Sequence, residues 1–586
     1  MSRPHLQVGF LADNLAEEYQ RRVFQGLNQE ALRLDISITA IVGGTLAQAG
    51  SPAQRNQLYD CISQTHLDAL VVCTGPLSRQ LGLAHLAEFL GTLAPIPIYC
   101  VGALIHGFPS LTVDSQAGVR AALEHLTEQG KRRRVAFLRG PETNPQSEEL
   151  YAAYESFLFE NGLAFNPELV THGNFEAPSG ADAVRALIDE RHVGFDALVA
   201  ASDLMALGAM NELVERGIPV PDRVSVVGFG DIESSRFATA PLTTIREPLE
   251  ELGKRALAKV VRQNYSQPFE QSVVLPAVLV QRRSSRDSAQ ALRVPDALSA
   301  GRPRNTTELL AVYHSSRSSL CEDLRVELAG EGLDSDWSTQ LCNAFISDVC
   351  GRRSGLLKRA TFVDYLEHWL LQVTANNGEL SSCQEVIVVL RQRVLPWLHE
   401  LPLQRDLAEQ LWHQARMVIA GIAERFQVQQ RLELAYWRRS VQDLGSELMR
   451  CDTLEQLGAA IPEVLPQLGI PACYICTFEP PDQSRLRIGY DLYEAAEYPV
   501  AVFPANELLP SYIRNAKRRT SLVVEALYTS EKSLGYVMFE MGPTEPEVYA
   551  LLRDYITGAL RGIELDYEAP DDVPEPPPAI VGEPGF

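Results

Sequence analysis

Residues 226–235 read VVGFGDIESS, and residues 240–245 follow them with APLTTI. Each stretch contains a short β-branched run, and a glycine-rich turn ends the first of them. In an open α/β sheet, turns of this kind stand at the carboxyl ends of the strands, where ligands bind. The pair of stretches therefore predicts two strands that form one wall of a ligand cleft.

The same pattern extends outward through the first half of the chain, from Leu6 to about Arg283. Segments of helical periodicity separate most of the short apolar runs, which predicts parallel sheets covered by helices on both faces. Two such sheets fit the number of runs. The predicted strands are residues 8–11, 36–42, 69–73, 98–101, 135–138, 197–200 and 224–227.

Composition sets limits on domain number and on partners. A chain of 586 residues predicts about three or four domains. Its 52 basic and 75 acidic residues give a net charge of -23, which repels a phosphate backbone unless a basic module offsets it. The longest basic run, residues 131–134, is interpreted as a solvated loop before a strand. Direct DNA binding is therefore not expected.

No motif for catalysis or cofactor binding is found. The chain shows no P-loop, kinase signature, serine elbow or metal-ligand cluster, so we predict neither an enzyme nor a cofactor or metal site. Cys473 and Cys476 lie in a predicted buried strand, where a spacing of three places them on opposite faces, as in core packing. Without a signal peptide or a bilayer-long apolar run, the expected location is the cytoplasm.

Three segments give the first half a specific resemblance. FDALVAASDLMALG (195–208), GIPVPDRVSVVGFGDI (217–232) and PLTTIREPLEELG (241–253) resemble the effector-binding half of the lactose-repressor and galactose-repressor family. VDSQAG (113–118) and GNFEAPSG (173–180) are similar to further landmarks of that family in the same order.

The resemblance implies a type I periplasmic-binding-protein fold for residues 1–285, with two lobes, three crossovers and a cleft. One lobe would hold residues 6–113 and 247–273, and the other residues 114–245 and 274–283. Family repressors also carry a helix-turn-helix head ahead of this fold. We expect none here, because the first predicted strand begins by Leu6.

The resemblance also places the family's usual effector contacts, and three of them are altered. The arginine position is occupied by Leu150, the asparagine position by Ser202, and the first aspartate after Gly-Phe by Gly230, which leaves only Asp231. A charge-assisted hydrogen bond contributes about 1.5–3 kcal/mol, so a standard polyol would lose much of its affinity.

Other side chains are candidates for lining the cleft, and each also has a structural interpretation. Asp203 is expected to cap a helix that starts at Leu204. The other candidates are Asp13, Tyr19, Asp114 and Phe175. Their alternative roles are a cap for Asp13, hinge packing for Tyr19 and Phe175, and a turn for Asp114.

The second half of the chain has a different organisation. We predict a linker at residues 286–305, a helical domain at 306–430, and a disordered acidic, proline-rich tail at 568–586. Residues 431–567 read as a signalling helix followed by a helix, four strands and a helix, an order similar to a GAF-type sensory domain. A seven-residue apolar spacing from Leu434 to Cys451 favours a helix packed on its own domain, and a parallel homodimer seam is the alternative.

Two main hypotheses about function follow. In the first, a small effector, sugar-like or nucleoside-like, binds the repressor-like module, which signals through the helical and GAF-like regions to a partner protein. In the second, the fold has lost its ligand and serves as an interaction scaffold. A transcriptional regulator that contacts DNA through another surface is a third alternative.

Overall fold

A computed structural model describes residues 6–47, 50–62, 67–142, 144–263, 272–285, 303–327, 336–351, 362–375, 380–479, 482–493, 498, 500–505, 507–510, 518–530, 532–542 and 546–563. The predicted tail lies outside the described residues, as does the linker before residue 303. The described chain divides into two compact units. Unit 1 comprises Met1–Ala117, Glu247–Val278 and Trp437–Phe586, and unit 2 comprises Gly118–Arg246 and Leu279–Tyr436.

The strands, in chain order, are β1 (Gln7–Ala12), β2 (Ser37–Val42), β3 (Ala69–Cys73), β4 (Ile98–Val101), β5 (Ser110–Asp114), β6 (Val135–Arg139), β7 (Val170–His172), β8 (Ala197–Ala200), β9 (Ser225–Phe229), β10 (Thr243–Arg246), β11 (Val273–Pro276), β12 (Val278–Val280), β13 (Ala472–Glu479), β14 (Gln483–Asp491), β15 (Ala501–Pro504), β16 (Ser521–Tyr528) and β17 (Ser533–Glu540).

The α-helices are α1 (Glu18–Leu34), α2 (Gly50–Asp60), α3 (Thr74–Leu77), α4 (Gly82–Thr92), α5 (Ser115–Glu124), α6 (Pro145–Glu160), α7 (Ala177–Arg185), α8 (Asp203–Glu215), α9 (Leu249–Gln263), α10 (Thr306–Glu327), α11 (Trp337–Val349), α12 (Phe362–Ala375), α13 (Leu380–Val394), α14 (Pro402–Leu448), α15 (Leu454–Val464) and α16 (Glu547–Gly562). Among the helices described, none is long and apolar enough to cross a membrane.

The first part of unit 1 is a parallel sheet in the order β11-β5-β4-β3-β1-β2. Strands β2 to β4 are buried along their whole length, and β1 is buried beyond its first residue. Continuous apolar runs of this kind arise where helices cover both faces of a parallel sheet. The predicted strand–helix alternation is confirmed, and β11 extends the first sheet beyond residue 273, the limit expected for this lobe.

The C-terminal part of unit 1 continues the same sheet. Strands β16, β17, β13, β14 and β15 pair antiparallel in that order. Strand β16 then pairs in parallel with β2, from Ser521 beside Ile38 to Glu525 beside Val42, and completes an eleven-stranded sheet. The amide of Ile38 donates to the carbonyl oxygen of Thr520 at 3.0 Å. The sequence did not predict this junction.

Both faces of the junction are covered by apolar side chains drawn from the two parts of the chain. On one face, Ala40 of β2 and Val523 of β16 belong to a core that also contains Phe10 and Phe539. On the other face, Ile41 and Val524 lie in a second core with Tyr59, Tyr536 and Met538. The N-terminal strands and the C-terminal strands therefore share their hydrophobic cores.

The end of α14 packs on the first of these cores. Val441, Leu444 and Leu448, three positions of the seven-residue spacing, are buried in it, so these three side chains pack within the chain. Cys473 and Cys476 are both buried on β13, one in each core, as expected for core residues. The predicted helices and strands of residues 453–563 are present, and β15 is an additional strand that the sequence did not indicate.

Unit 2 contains a six-stranded sheet in the order β12-β10-β9-β8-β6-β7, in which the five strands from β10 to β7 pair in parallel. Helices α7 and α8 approach closely at Gly208, because glycine has no side chain. A Cβ at that position would lie 1.8 Å from the carbonyl oxygen of Ala177. The helical segment from α10 to Ile422 of α14 has its own core. In this core the rings of Trp337 and Trp369 stack with their centroids 5.0 Å apart.

The shared sheet leads to a test of cooperativity. We expect Val523→Ala, which removes two methyl groups from a buried site beside Ala40 and Phe539, to lower the free energy of unfolding by about 2 kcal/mol. In hydrogen exchange, protection should fall together in β2 and β17, because both strands border β16. Val502→Ala on the edge strand β15, 46% exposed, is the control and should change little. Loss of protection in β17 while β2 stays protected would contradict the shared sheet.

Candidate functional site

A polar cluster stands at the carboxyl end of β1 in unit 1. Asp13 follows the strand and is only 6% exposed. Its backbone amide donates to Oε1 of Gln20 on α1 at 2.9 Å, and Nε2 of Gln20 donates to the Asp13 carboxylate. Burial raises the pKa of the Asp13 carboxyl, and the Gln20 hydrogen bond opposes that rise. The turn from β1 into α1 thus holds a partly desolvated carboxyl group.

Two further charged residues complete this group, here called the Asp13 cluster (Asp13, Glu17, Gln20 and Arg79). Nη2 of Arg79 donates to Oε1 of Glu17 at 2.9 Å, and its Nη1 lies 4.0 Å from Oδ2 of Asp13. Nε2 of Gln20 also donates to Oε2 of Glu17 at 2.6 Å. The Arg79 side chain is 54% exposed, so the cluster opens to solvent.

Tyr19 lies near the end of β4 in the same unit. Gly102 follows β4 with φ of 109°, and a Cβ at that position would lie 2.7 Å from the Tyr19 hydroxyl oxygen. Thr74 Oγ1 accepts from the amide of Ala103 at 2.7 Å and fixes the same turn. A side chain at residue 102 would displace the Tyr19 ring. The structure thus brings Asp13 and Tyr19 to the carboxyl edge of one sheet.

The structural role of Asp114 is a helix cap, whereas the predicted alternative to a cleft contact was a turn. Its Oδ1 accepts from the amide of Ala117 at 2.9 Å, within the first turn of α5. An aspartate that bonds an otherwise unpaired amide at a helix start is a capping residue.

In unit 2, Ser202 caps α8, and the expectation that Asp203 does so is wrong. Ser202 Oγ accepts from the amide of Met205 at 3.2 Å, and Asp203 is the first helical residue. Asp203 instead joins two strand ends. Its Oδ1 accepts from the Thr244 hydroxyl at 2.6 Å and its Oδ2 from the amide of Ile232 at 2.9 Å. Burial raises the pKa of Asp203 to about 7.

Asp231 is the centre of an internal ion network. Its Oδ2 accepts from Nε of Arg246 at 2.5 Å, and its Oδ1 accepts from Nη2 of Arg282 at 2.7 Å. Nη2 of Arg236 lies 3.5 Å away. Burial acts to raise the pKa of Asp231, yet the three arginines hold it below its usual value. Both carboxylate oxygens are therefore engaged within unit 2.

The remaining unit 2 candidates differ in accessibility. Leu150 is 1% exposed in the core, so in this arrangement its side chain is not available to a ligand, contrary to its inclusion among the cleft candidates. Gly230 has φ of 123°, a backbone conformation that favours glycine. Phe175 also has a positive φ, 71°. A Cβ on Gly140 would lie 2.3 Å from the Phe175 ring, so the ring packs directly on that glycine. It is half-buried.

Sequence reasoning missed several polar residues at these edges. Arg139 ends β6, pairs with the carboxylate of Glu148, and lies 4.0 Å from the centroid of the Tyr151 ring. Glu148 and Tyr151 are three residues apart on α6, so they share a face from which Leu150 points away. The available signals were that spacing on α6 and the position of Arg139 directly after the predicted strand at residues 135–138. Gln20 and Arg79 were missed as well.

Comparison with known proteins supports the repressor-like resemblance over part of the chain. Residues 123–285 match the family described as "Periplasmic binding protein-like domain". Over 127 residues the chain is 39% identical to the HTH-type transcriptional regulator AscG of Escherichia coli K12, covering 22% of this chain and 38% of that protein. The HTH-type transcriptional repressor CytR of the same strain is 28% identical over 236 residues, covering 40% and 67%.

The chain is also similar to a third transcriptional regulator and to a solved repressor structure. The HTH-type transcriptional regulator CelR of Thermobifida fusca is 31% identical over 214 residues, covering 36% of this chain and 60% of that protein. The crystal structure of the E. coli transcriptional repressor ascG is 24% identical with a TM-score of 0.41, covering 48% and 98%. The chain thus spans 38% to 67% of these curated relatives. They are transcriptional regulators, and none is named as an enzyme.

The buried Asp203 gives unit 2 a specific pH dependence. Its pKa is about 7 when folded against an ordinary 3.8, so its contribution to stability is complete below about pH 4 and is lost as the pH rises to 7. Relative to Asp203→Asn, which cannot ionise, wild-type stability should fall by a few kcal/mol across that window. Denaturant titrations of both proteins from pH 4 to 8 measure this difference. A difference that stays constant across this pH range would contradict the raised pKa of Asp203. Asp182→Asn, at an exposed position of the same unit, is the control substitution.

Proposed function

We propose that this protein is a regulatory sensor whose repressor-like α/β region binds a small polar effector and signals through its C-terminal segment to a partner protein. The observation that carries the proposal is the Asp13 cluster. It presents a guanidinium, two carboxylates and an amide at the carboxyl edge of a parallel sheet, where α/β proteins place their ligands. The similarity to transcriptional regulators, over 127 residues for AscG and 236 residues for CytR, supports a role in control of transcription.

The cluster also bears on the class of effector. Unit 2 has lost the usual contacts at Leu150 and Gly230, and it uses Asp203 and Asp231 internally. Recognition would then rest largely on the Asp13 cluster, which offers both donors and acceptors. A hydroxyl-rich molecule, sugar-like or nucleoside-like, satisfies such a set because each hydroxyl can donate and accept.

The proposed output is the C-terminal segment, residues 437–563. Its helix–sheet–helix order resembles a GAF-type sensory domain, which suits contact with a partner protein or a second copy of the chain. Through β16 this segment is paired to β2, the strand beside β1, and Asp13 follows β1. A change at the cluster would therefore act on the sheet that the C-terminal segment shares.

One observation favours a scaffold without a ligand as the second candidate. The carboxylate of Asp231 is neutralised by arginines of its own unit, and Leu150 is packed into the core. Both positions, which the resemblance associates with effector contact, have roles that need no ligand. In that case the acidic surface would recruit protein partners directly.

A thermal-shift screen of the full chain against sugars, nucleosides and amino acids separates the two functions. At about 100 times Kd a ligand adds about 2.7 kcal/mol, so a binding compound should raise the Tm by a few degrees. We expect Arg79→Ala and Asp13→Asn to reduce that shift strongly, because each removes a charged group from the cluster. Arg120→Ala, which breaks an exposed ion pair with Glu160, is the matched control.

The outcomes are distinct. A shift that survives both cluster variants would place the effector elsewhere. No shift with any compound, together with a stoichiometric protein that co-purifies from the native host, would support the scaffold.

A further inference from the structure

Arg55, on α2, contacts both the candidate site and the C-terminal segment. Its Nη2 donates to the backbone carbonyl oxygen of Asp13 at 3.1 Å. The same guanidinium carbon lies 5.5 Å from the centroid of the Tyr528 ring, within range of a cation–π interaction. Tyr528 ends β16. A single side chain therefore joins the turn after β1 to the last residue of the strand that pairs with β2.

A buried ion pair lies on the C-terminal side of this contact. Glu525 of β16 is 2% exposed, and its Oε2 accepts from Nη1 of Arg553 on α16 at 3.0 Å. The Arg553 guanidinium is itself 5.8 Å from the Tyr528 ring centroid. The Tyr528 ring is thus within cation–π range of two guanidiniums, one from each part of unit 1.

Arg55 acts electrostatically on carboxyls in both parts. Burial raises the pKa of Asp13 and of Glu525, and the positive charge of Arg55 opposes the rise at each of them. Because one cation lies near both groups, a change in charge at one carboxyl alters the balance of forces on Arg55 and hence its interaction with the other.

The packing around Arg55 leaves one donor unused. Its Nε is buried and makes no hydrogen bond within the described part of the chain. Gly44, with φ of 82°, packs so closely that a Cβ would lie 3.3 Å from the Arg55 Nε and Cζ. The Arg55 side chain therefore packs closely against Gly44, and its Nε makes no hydrogen bond with the described residues that would oppose a small shift of the guanidinium.

We propose that Arg55 is a positioning residue that couples the Asp13 cluster to β16 and α16. A change in charge or hydrogen bonding at Asp13 shifts the guanidinium relative to Tyr528 and Glu525, and the C-terminal segment responds. The coupling deepens the proposed function, on which its biological meaning rests, because it names the route by which the cluster regulates the output.

Hydrogen exchange of the full chain without any added effector tests the coupling. Four proteins are compared: wild type, Asp13→Asn, Arg55→Gln and the double variant. We expect Asp13→Asn to change exchange rates in β16 by about twofold or more, and the change to disappear in the Arg55→Gln background, because contacting residues couple non-additively. Glu30→Gln on α1, whose carboxylate pairs with Arg33, is the control and should leave β16 unchanged.

A purely structural Arg55 would give additive effects, in which Asp13→Asn alters β16 equally with and without the guanidinium, and that result would overturn the proposal. No response of β16 to Asp13→Asn would overturn it as well. If Asp13→Asn does not yield folded protein, Tyr528→Leu provides the reciprocal test, since coupling acts in both directions. It should then alter exchange in the first turns of α1, and unchanged exchange there would count against the coupling.

The effector screen and this experiment fail independently. No compound is present during exchange, so an absence of effector binding leaves the measured coupling intact, and an absence of coupling leaves effector binding intact.

Discussion

The ladder between β2 and β16 is the interaction on which the rest of unit 1 depends. Without β16, β2 would be the edge strand of a parallel sheet. Its outer amides and carbonyls would be unpaired, and the apolar side chains beside it would be exposed. Parallel sheets are stable when both faces are covered and their edges are short or protected. Here β16 pairs with β2 from Ser521 to Glu525 and provides hydrogen-bond partners for this edge. Val523 and Val524 extend the two hydrophobic cores, one on each face of the sheet. The C-terminal segment is thus part of the same sheet as β1 to β5.

The polar residues of the two units have different roles. In unit 2, Asp203 accepts a hydrogen bond from Thr244, and Asp231 pairs with Arg246 and Arg282, so both carboxyl groups are engaged within the fold. In unit 1, the Asp13 cluster lies one strand from the β2–β16 junction and remains open to solvent. The proposed function therefore assigns effector recognition to unit 1, whose sheet includes the C-terminal strands.

Local patterns predicted most strands and helices because burial leaves a visible pattern in the sequence. Buried strands have continuous apolar runs, and helices have apolar residues at a spacing of three and four. The β2–β16 pair could not be found in that way, since register partners such as Ile38 and Ser521 lie near opposite ends of the chain, and strand periodicity carries no information about distant partners. Ser202 and Asp203 are both good capping residues, so spacing alone could not choose between them. The arginines around Asp231 come from separate segments, and only the folded chain shows that they neutralise it.

Cross-linking across the junction tests the shared sheet most directly. Thr39 and Leu522 are register partners, so Thr39→Cys with Leu522→Cys should form a disulfide on mild oxidation of the full chain, identified as a linked peptide by mass spectrometry. Thr39→Cys with Val523→Cys places the two thiols on opposite faces and should not link. Equal linking in both variants, or none in either, would show that β2 and β16 do not form the described ladder.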